Sequence, residues 1–150
     1  MSTMLIRYAE RGDIAAIAEW NVAMAWETEQ KRLDLQLLMR GVTAVFDEPR
    51  RGFYLVAERD HQAAGCLLIT HEWSDWRNGD CWWIQSVYVV PEARRGGVFR
   101  ALYNDVAQRA KAAGAVGLRL YVETENKRAQ NTYRELGMTE CHYRMYEQLI

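Results

Sequence analysis

The run "VYVVPEARRGGVFRAL", residues 87–102, decides how this chain folds. Its apolar start stops at Pro91, passes two arginines and two glycines, and turns helical in pattern. Phe99, Leu102, Tyr103, Val106, Ala110 and Ala113 then recur at helical spacing. Adjacent glycines pack nothing, so they need another reason to stand between a strand and a helix. The first N–H groups of a helix lack intrahelical partners, and the helix dipole favours negative charge there. Gly96 and Gly97 let the backbone approach an anion closely, and Arg94, Arg95 and Arg100 add charge nearby. The run therefore reads either as a phosphate-holding turn or as a plain turn with solvated arginines. It has neither a G-K-[ST] ending nor the three-glycine dinucleotide fingerprint.

Upstream, "CWWIQSVYVV" is apolar on both alternating faces. Trp82, Ile84, Tyr88 and Val90 fall on one face, and Trp83, Val87 and Val89 on the other. Such a strand belongs in mid-sheet, covered on both sides. "NGD" at 78–80 marks the turn before it, and "GFYLVAERDHQAAGCLLITHEW" reads as a hairpin. "LIRYA" predicts a first strand. "GDIAAIAEWNVAM" predicts a helix capped by Asp13, and a second helix runs from about Asp34 to Phe46. Downstream, Gly114 ends the long helix. "VGLRLYVET" reads as a strand, "NKRAQNTYREL" as a short helix stopped by Gly137, and "MTECHYRMYEQLI" as a closing strand. The order β-α-α-β-β-β-α-β-α-β predicts a mixed sheet with helices on both sides, an α/β or α+β class, in one domain over residues 1–150.

Composition narrows the function. A net charge of −1 argues against a nucleic-acid binder. No apolar run approaches the roughly 20 residues that span a bilayer, and "MSTMLIRYAE" lacks a signal-peptide core, so the expectation is a cytoplasmic protein. Cys66, Cys81 and Cys141 are odd in number and read as reduced thiols. With His61, His71 and His142 they form no metal-ligand spacing, so no metal is expected. Four of the six tryptophans crowd into "WSDWRNGDCWW", either walling a pocket or packing a local core.

The segment "VETENKRAQNTYRELGM" completes the pattern. Together the two segments resemble the GCN5-related N-acetyltransferase family. Val89, Pro91, Arg94 and Gly97 match its pyrophosphate-loop pattern, although Phe99 stands where a small residue is usual. Asn126, Ala129, Tyr133 and Gly137 match its downstream pattern without a gap. The resemblance implies an acetyl-CoA site where strands 4 and 5 splay apart. The main chain around Tyr88, from Val87 to Val89, would bond the pantetheine arm. The N–H groups of Arg95, Gly96, Gly97, Val98, Phe99 and Arg100 would hold the pyrophosphate. Asn126 would bond the pantetheine or a neighbouring carbonyl, and Tyr133 would point at the thioester sulfur as a proton donor. The family also implies a homodimer.

Transfer to an amine needs a neutral nucleophile, a donor for the oxyanion and a proton for the thiolate. Many family members carry a carboxylate on the fourth strand near the place of Gln85 or Ser86. Here Gln85 would hold a relay water, or Glu27, Glu29, Glu72 or Asp75 would supply the base. The stretch from Trp26 to Glu58 and the tryptophan-rich segment resemble the diamine and polyamine branch. Glu27, Glu29, Glu72, Asp75 and Trp76 would then suit a cationic acceptor, although that branch has a carboxylate where Gln85 stands. The expected activity is acetyl transfer from acetyl-CoA to a small primary amine. A non-catalytic acyl-CoA sensor and a protein acetyltransferase are the alternatives.

Overall fold

The computed structural model describes residues 3–150. Five strands lie in the order β1 (Met4–Tyr8), β2 (Phe53–Arg59), β3 (Gln62–Ser74), β4 (Gly79–Val89) and β5 (Gly117–Arg119). Neighbours are antiparallel except β4 and β5, which run parallel. Helices α1 (Ile14–Glu29) and α2 (Leu35–Asp47) precede β2. Helix α3 (Val98–Ala112) joins β4 to β5, and α4 (Lys127–Glu135) follows. Contacts divide the chain into two compact units, Met1–Leu120 and Tyr121–Ile150.

In the first unit the sheet has a core on each face. Leu55, Leu67, Ile69 and Ile84 meet Val98, Leu102 and Val106 of α3 on one side. Tyr54, Val56 and Cys66 meet Ile17 and Ala18 of α1 and Val42 of α2 on the other. Each fully buried Leu or Val contributes about 1.5–3 kcal/mol. Helices thus cover both faces of a mixed, mostly antiparallel sheet, as the sequence predicts.

The two faces of β4 are not those that simple alternation gives. Leu68 pairs with Ser86 but Ile69 pairs with Ile84, so Gln85 is an extra, bulged residue. The bulge shifts the side-chain phase by one. Val87 and Val89 therefore join Trp82 and Ile84 on the α3 face. Tyr88 moves to the opposite face and stacks on Trp20 of α1, with ring centroids 6.5 Å apart.

Other expectations also change. Asp13 does not cap α1. Its carboxylate accepts instead from Arg7 Nη1 at 2.8 Å and from the Glu10 N–H at 2.7 Å. Asp34 does cap α2, accepting from the Gln36 N–H at 2.9 Å. The strand read over "VGLRLYVET" pairs only from Gly117 to Arg119.

In the second unit, α4 is capped by Asn126 and followed by Gly137 at φ +97°. The strand expected over residues 138–150 is absent; that stretch carries no regular element. A strand needs a ladder partner, and here Tyr143, Met145, Tyr146 and Leu149 stay exposed.

Candidate active site

β4 and β5 pair only at Cys81–Gly117, Trp82–Leu118 and Trp83–Arg119. Beyond Trp83 the β4 edge facing β5 has no ladder. The Val90 N–H donates to the Ala64 carbonyl on β3 at 2.9 Å. By alternation the main chain of Tyr88 also faces β3, and those of Val87 and Val89 face the open edge. The bulged Gln85 lies where this edge begins, and its Nε2 donates to Thr70 Oγ1 at 2.9 Å.

At the end of β4 the chain passes a short 3-10 turn, Pro91–Ala93, and reaches the glycine turn. Arg95 and Gly97 are left-handed, at φ +63° and +83°. Gly97 is the N-cap of α3 and brings no side chain to cap its first turn. A Cβ built on Gly97 meets no atom within 4 Å, so the space above the helix start is open. Val98 is buried and anchors the turn from below, while the Phe99 ring lies 6.3 Å from Tyr103, one turn along. Two left-handed residues, a helix N-terminus and an open approach are the geometry that a phosphate requires.

The arginines divide the work differently from the sequence reading. Arg94 Nη2 donates to Glu27 Oε1 at 2.7 Å and Arg94 Nε to the Val89 carbonyl at 2.9 Å. Its guanidinium also lies 5.3 Å from the Tyr88 ring centre. A residue that the sequence analysis missed, Arg59 at the end of β2, lies against the turn. A Cβ on Gly96 would fall 2.1 Å from Arg59 Nη1. The Arg59 guanidinium thus lies directly against the open side of Gly96. No motif marks Arg59; only the β2–β3–β4 register brings it there.

The acidic candidates are mostly engaged. Glu27 accepts from the Tyr88 hydroxyl at 2.7 Å as well as from Arg94. The Tyr88 bond and the Arg94 guanidinium hold the Glu27 carboxyl below its ordinary range, which makes it a weaker base than a free carboxylate. Glu72 pairs with Arg119 at 2.7 Å, and Glu29 with Lys31 at 3.5 Å. Asp75 and Trp76 occupy the turn between β3 and β4, at the far end of β4 from the glycine turn. Trp76 is 90% exposed and walls nothing, whereas Trp82 is buried against Phe53 and His71. A depression of about 340 Å³ near this end is lined by Trp73, Trp82 and Gly114, among others.

In the second unit the Asn126 side chain accepts from the Ala129 N–H at 3.1 Å. The Asn-x-x-Ala spacing is thus that of a helix cap. Burial pushes the Tyr133 phenol up, so it holds its proton at neutral pH. Among the described residues no cluster of three or more His, Cys, Asp or Glu could hold a metal, and no helix is long and apolar enough to cross a membrane.

The family model for acetyltransferases of the GNAT type matches residues 7–138. The chain belongs to the GNAT acetyltransferase family. The crystal structure of a "possible acetyltransferase" from Clostridium difficile 630 is 44% identical, with a TM-score of 0.92 over 98% of this chain and 97% of that one. The mycothiol acetyltransferase of Corynebacterium aurimucosum is 32% identical over 129 residues. That match takes in 81% of this chain but only 42% of the relative's length. An aminoglycoside N-acetyltransferase solved in complex with CoA shares the fold at 17% identity, with a TM-score of 0.81 over 99% of this chain and 96% of that one. GNAT acetyltransferases use acetyl-CoA, and the open β4 edge and glycine turn fit that donor.

Proposed function

We propose that the protein is an acetyl-CoA-dependent N-acetyltransferase that acetylates a small primary amine by direct attack in a ternary complex. The observation that carries this reading is the open β4 edge running from the bulge at Gln85 to a glycine turn at the head of α3. Acetyl-CoA supplies the acetyl thioester when bound. The Val87 N–H polarises the acetyl carbonyl from the open edge, and the N–H groups around Gly97 meet the pyrophosphate. By its motif, Tyr133 gives a proton to the departing sulfur, and its raised pKa keeps that proton available at neutral pH. Gln85 cannot accept a proton itself, so it orients a water that relays the amine's proton to bulk solvent.

The polyamine reading draws little support from the acidic residues. Glu27, Glu29 and Glu72 are each paired with a cation, which leaves less negative charge for a polycationic acceptor. A monoamine or an amino acid suits this surface better. The proposal extends to a cytoplasmic location and, by family resemblance, to a homodimer. The occupant of the strand-4 position, Gln85 in place of a carboxylate, favours a non-catalytic acyl-CoA sensor as the second reading.

CoA-thiol release from acetyl-CoA, measured against amino acids, short diamines, polyamines and aminoglycosides, separates the two. Turnover with one class identifies an enzyme, and Tyr133→Phe should then lower kcat while CoA binding holds. Tight CoA binding with no turnover across the panel overturns the small-amine reading in favour of the sensor or a protein acceptor.

A further inference from the structure

Glu27 lies in the last turn of α1, and its two oxygens tie three segments together. Oε2 accepts from the Tyr88 hydroxyl on β4, and Oε1 accepts from Arg94, which follows β4. Arg94 in turn clamps the strand end that it leaves, through Nε to the Val89 carbonyl and its cationic face on the Tyr88 ring. Tyr88 reaches this face only because the bulge at Gln85 shifts the phase of β4, and Trp20 of α1 stacks with it there. Arg94 is extended, at φ −67° and ψ 151°, and the next residue, Arg95, is left-handed. A left-handed residue with a side chain is unfavourable unless its neighbours hold it. The buried Val98 holds the turn on the helix side, and the Glu27–Arg94 pair holds it on the strand side.

We propose that Glu27 is a positioning residue for the acyl-donor turn, acting through Arg94 to fix the direction in which the chain leaves β4. The proposal rests on the acetyl-CoA reading above and takes the place of a base role for Glu27. Arg94, with its guanidinium engaged by Glu27, Val89 and Tyr88, shapes the turn instead of carrying the phosphate charge. The end of α1 and the donor turn are thereby coupled through one carboxylate, so a contact that moves the end of α1 changes affinity for the donor.

The test is a double-mutant cycle on Glu27→Gln and Arg94→Met, with calorimetric binding of CoA and steady-state kinetics on the best amine. Each single variant should weaken CoA binding about tenfold, and the double variant should be no weaker than either, because the two act as one unit. The KM for acetyl-CoA should rise by a similar factor while kcat falls less than about threefold. Tyr88→Phe removes one donor to Glu27 with little change in packing, and it should weaken CoA binding by a smaller factor. It carries the same test should Glu27→Gln fold poorly. A collapse of kcat with unchanged CoA affinity would make Glu27 the base and overturn the proposal. Unchanged affinity in every variant, or additive losses in the double variant, would overturn it too. Failure of the wild-type protein to bind CoA at all would remove the acetyl-CoA reading, and this proposal with it.

Discussion

Arg59 and Arg94 show how far a single residue's role depends on what lies beside it. Both are arginines near the glycine turn, yet Arg94 has a carboxylate partner at 2.7 Å and Arg59 makes no ion pair among the described residues. A guanidinium without a carboxylate partner keeps its full charge for an incoming phosphate. Replacing Arg59 with Ala should therefore weaken CoA binding about three- to tenfold and reduce the salt dependence of that binding, since one charge contact is lost. The melting temperature should barely move, because the side chain is half-exposed and makes no hydrogen bond among the described residues. Calorimetry at two ionic strengths decides it; equal affinity of variant and wild type would place Arg59 outside the donor site. At this scale the sequence was legible where a turn demands a residue type, as for Gly97 with its positive φ. It was illegible where a role needs two distant partners. Glu27 reads only as one of several candidate bases until Tyr88 and Arg94, 61 and 67 residues away, are placed beside it.

Among the elements, β4 and the first turns of the chain carry the clearest lesson. The double-faced apolar pattern of "CWWIQSVYVV" identifies a central strand, because burial on both sides leaves that mark. It does not reveal the bulge, since an extra residue changes the phase without changing composition. Hence Val87, Val89 and Tyr88 each fall on the face opposite to simple alternation. The Asp13 assignment failed for a related reason. A helix-starting Asp usually caps, but here β1 brings Arg7 alongside, and Asp13 and Glu58 both bond its guanidinium. The Arg7 hydrogen bond, with help from the Glu10 N–H, holds the Asp13 carboxyl below its ordinary value near 3.8. A depressed carboxylate stabilises the fold fully above its unfolded value. That contribution is lost as pH falls from about 4 through the folded pKa. Asp13→Asn should therefore cost about 1–2 kcal/mol at pH 7 and flatten the acid limb of the stability curve. Denaturant melts at several pH values check this, and a variant curve parallel to wild type throughout would show that the pair contributes nothing.

For the molecule as a whole, the sequence foretold the mixed sheet and its two helical faces because the apolar runs of its buried elements can be read directly. Helix α3 with Leu102 and Val106, and strand β2 with Leu55 and Val56, are cases where the hydrophobic pattern and the burial agree. It misled over residues 138–150, where "MTECHYRMYEQLI" has strand-like composition but no ladder. Strand propensity describes fitness for a pleated, half-buried surface and cannot supply the neighbour that completes it. That difference has a measurable consequence in amide hydrogen exchange, which reports local opening free energy. β3 is paired on both sides from Gly65 to Ile69 and holds the fully buried Leu67 and Ile69, so the amides of that stretch should exchange slowest, near the global unfolding limit. The amides of 138–150 should exchange fastest, because they join no ladder and the segment exposes Tyr143, Met145, Tyr146 and Leu149. Within the first unit, the β4 amides of Val87 and Val89 face the open edge. They should exchange faster than that of Tyr88, and adding CoA should slow them selectively. Uniform protection along β4 without ligand would refute the open edge on which the donor site depends. Strong protection of 138–150 that grows with protein concentration would instead show this segment pairing with a second copy of the chain.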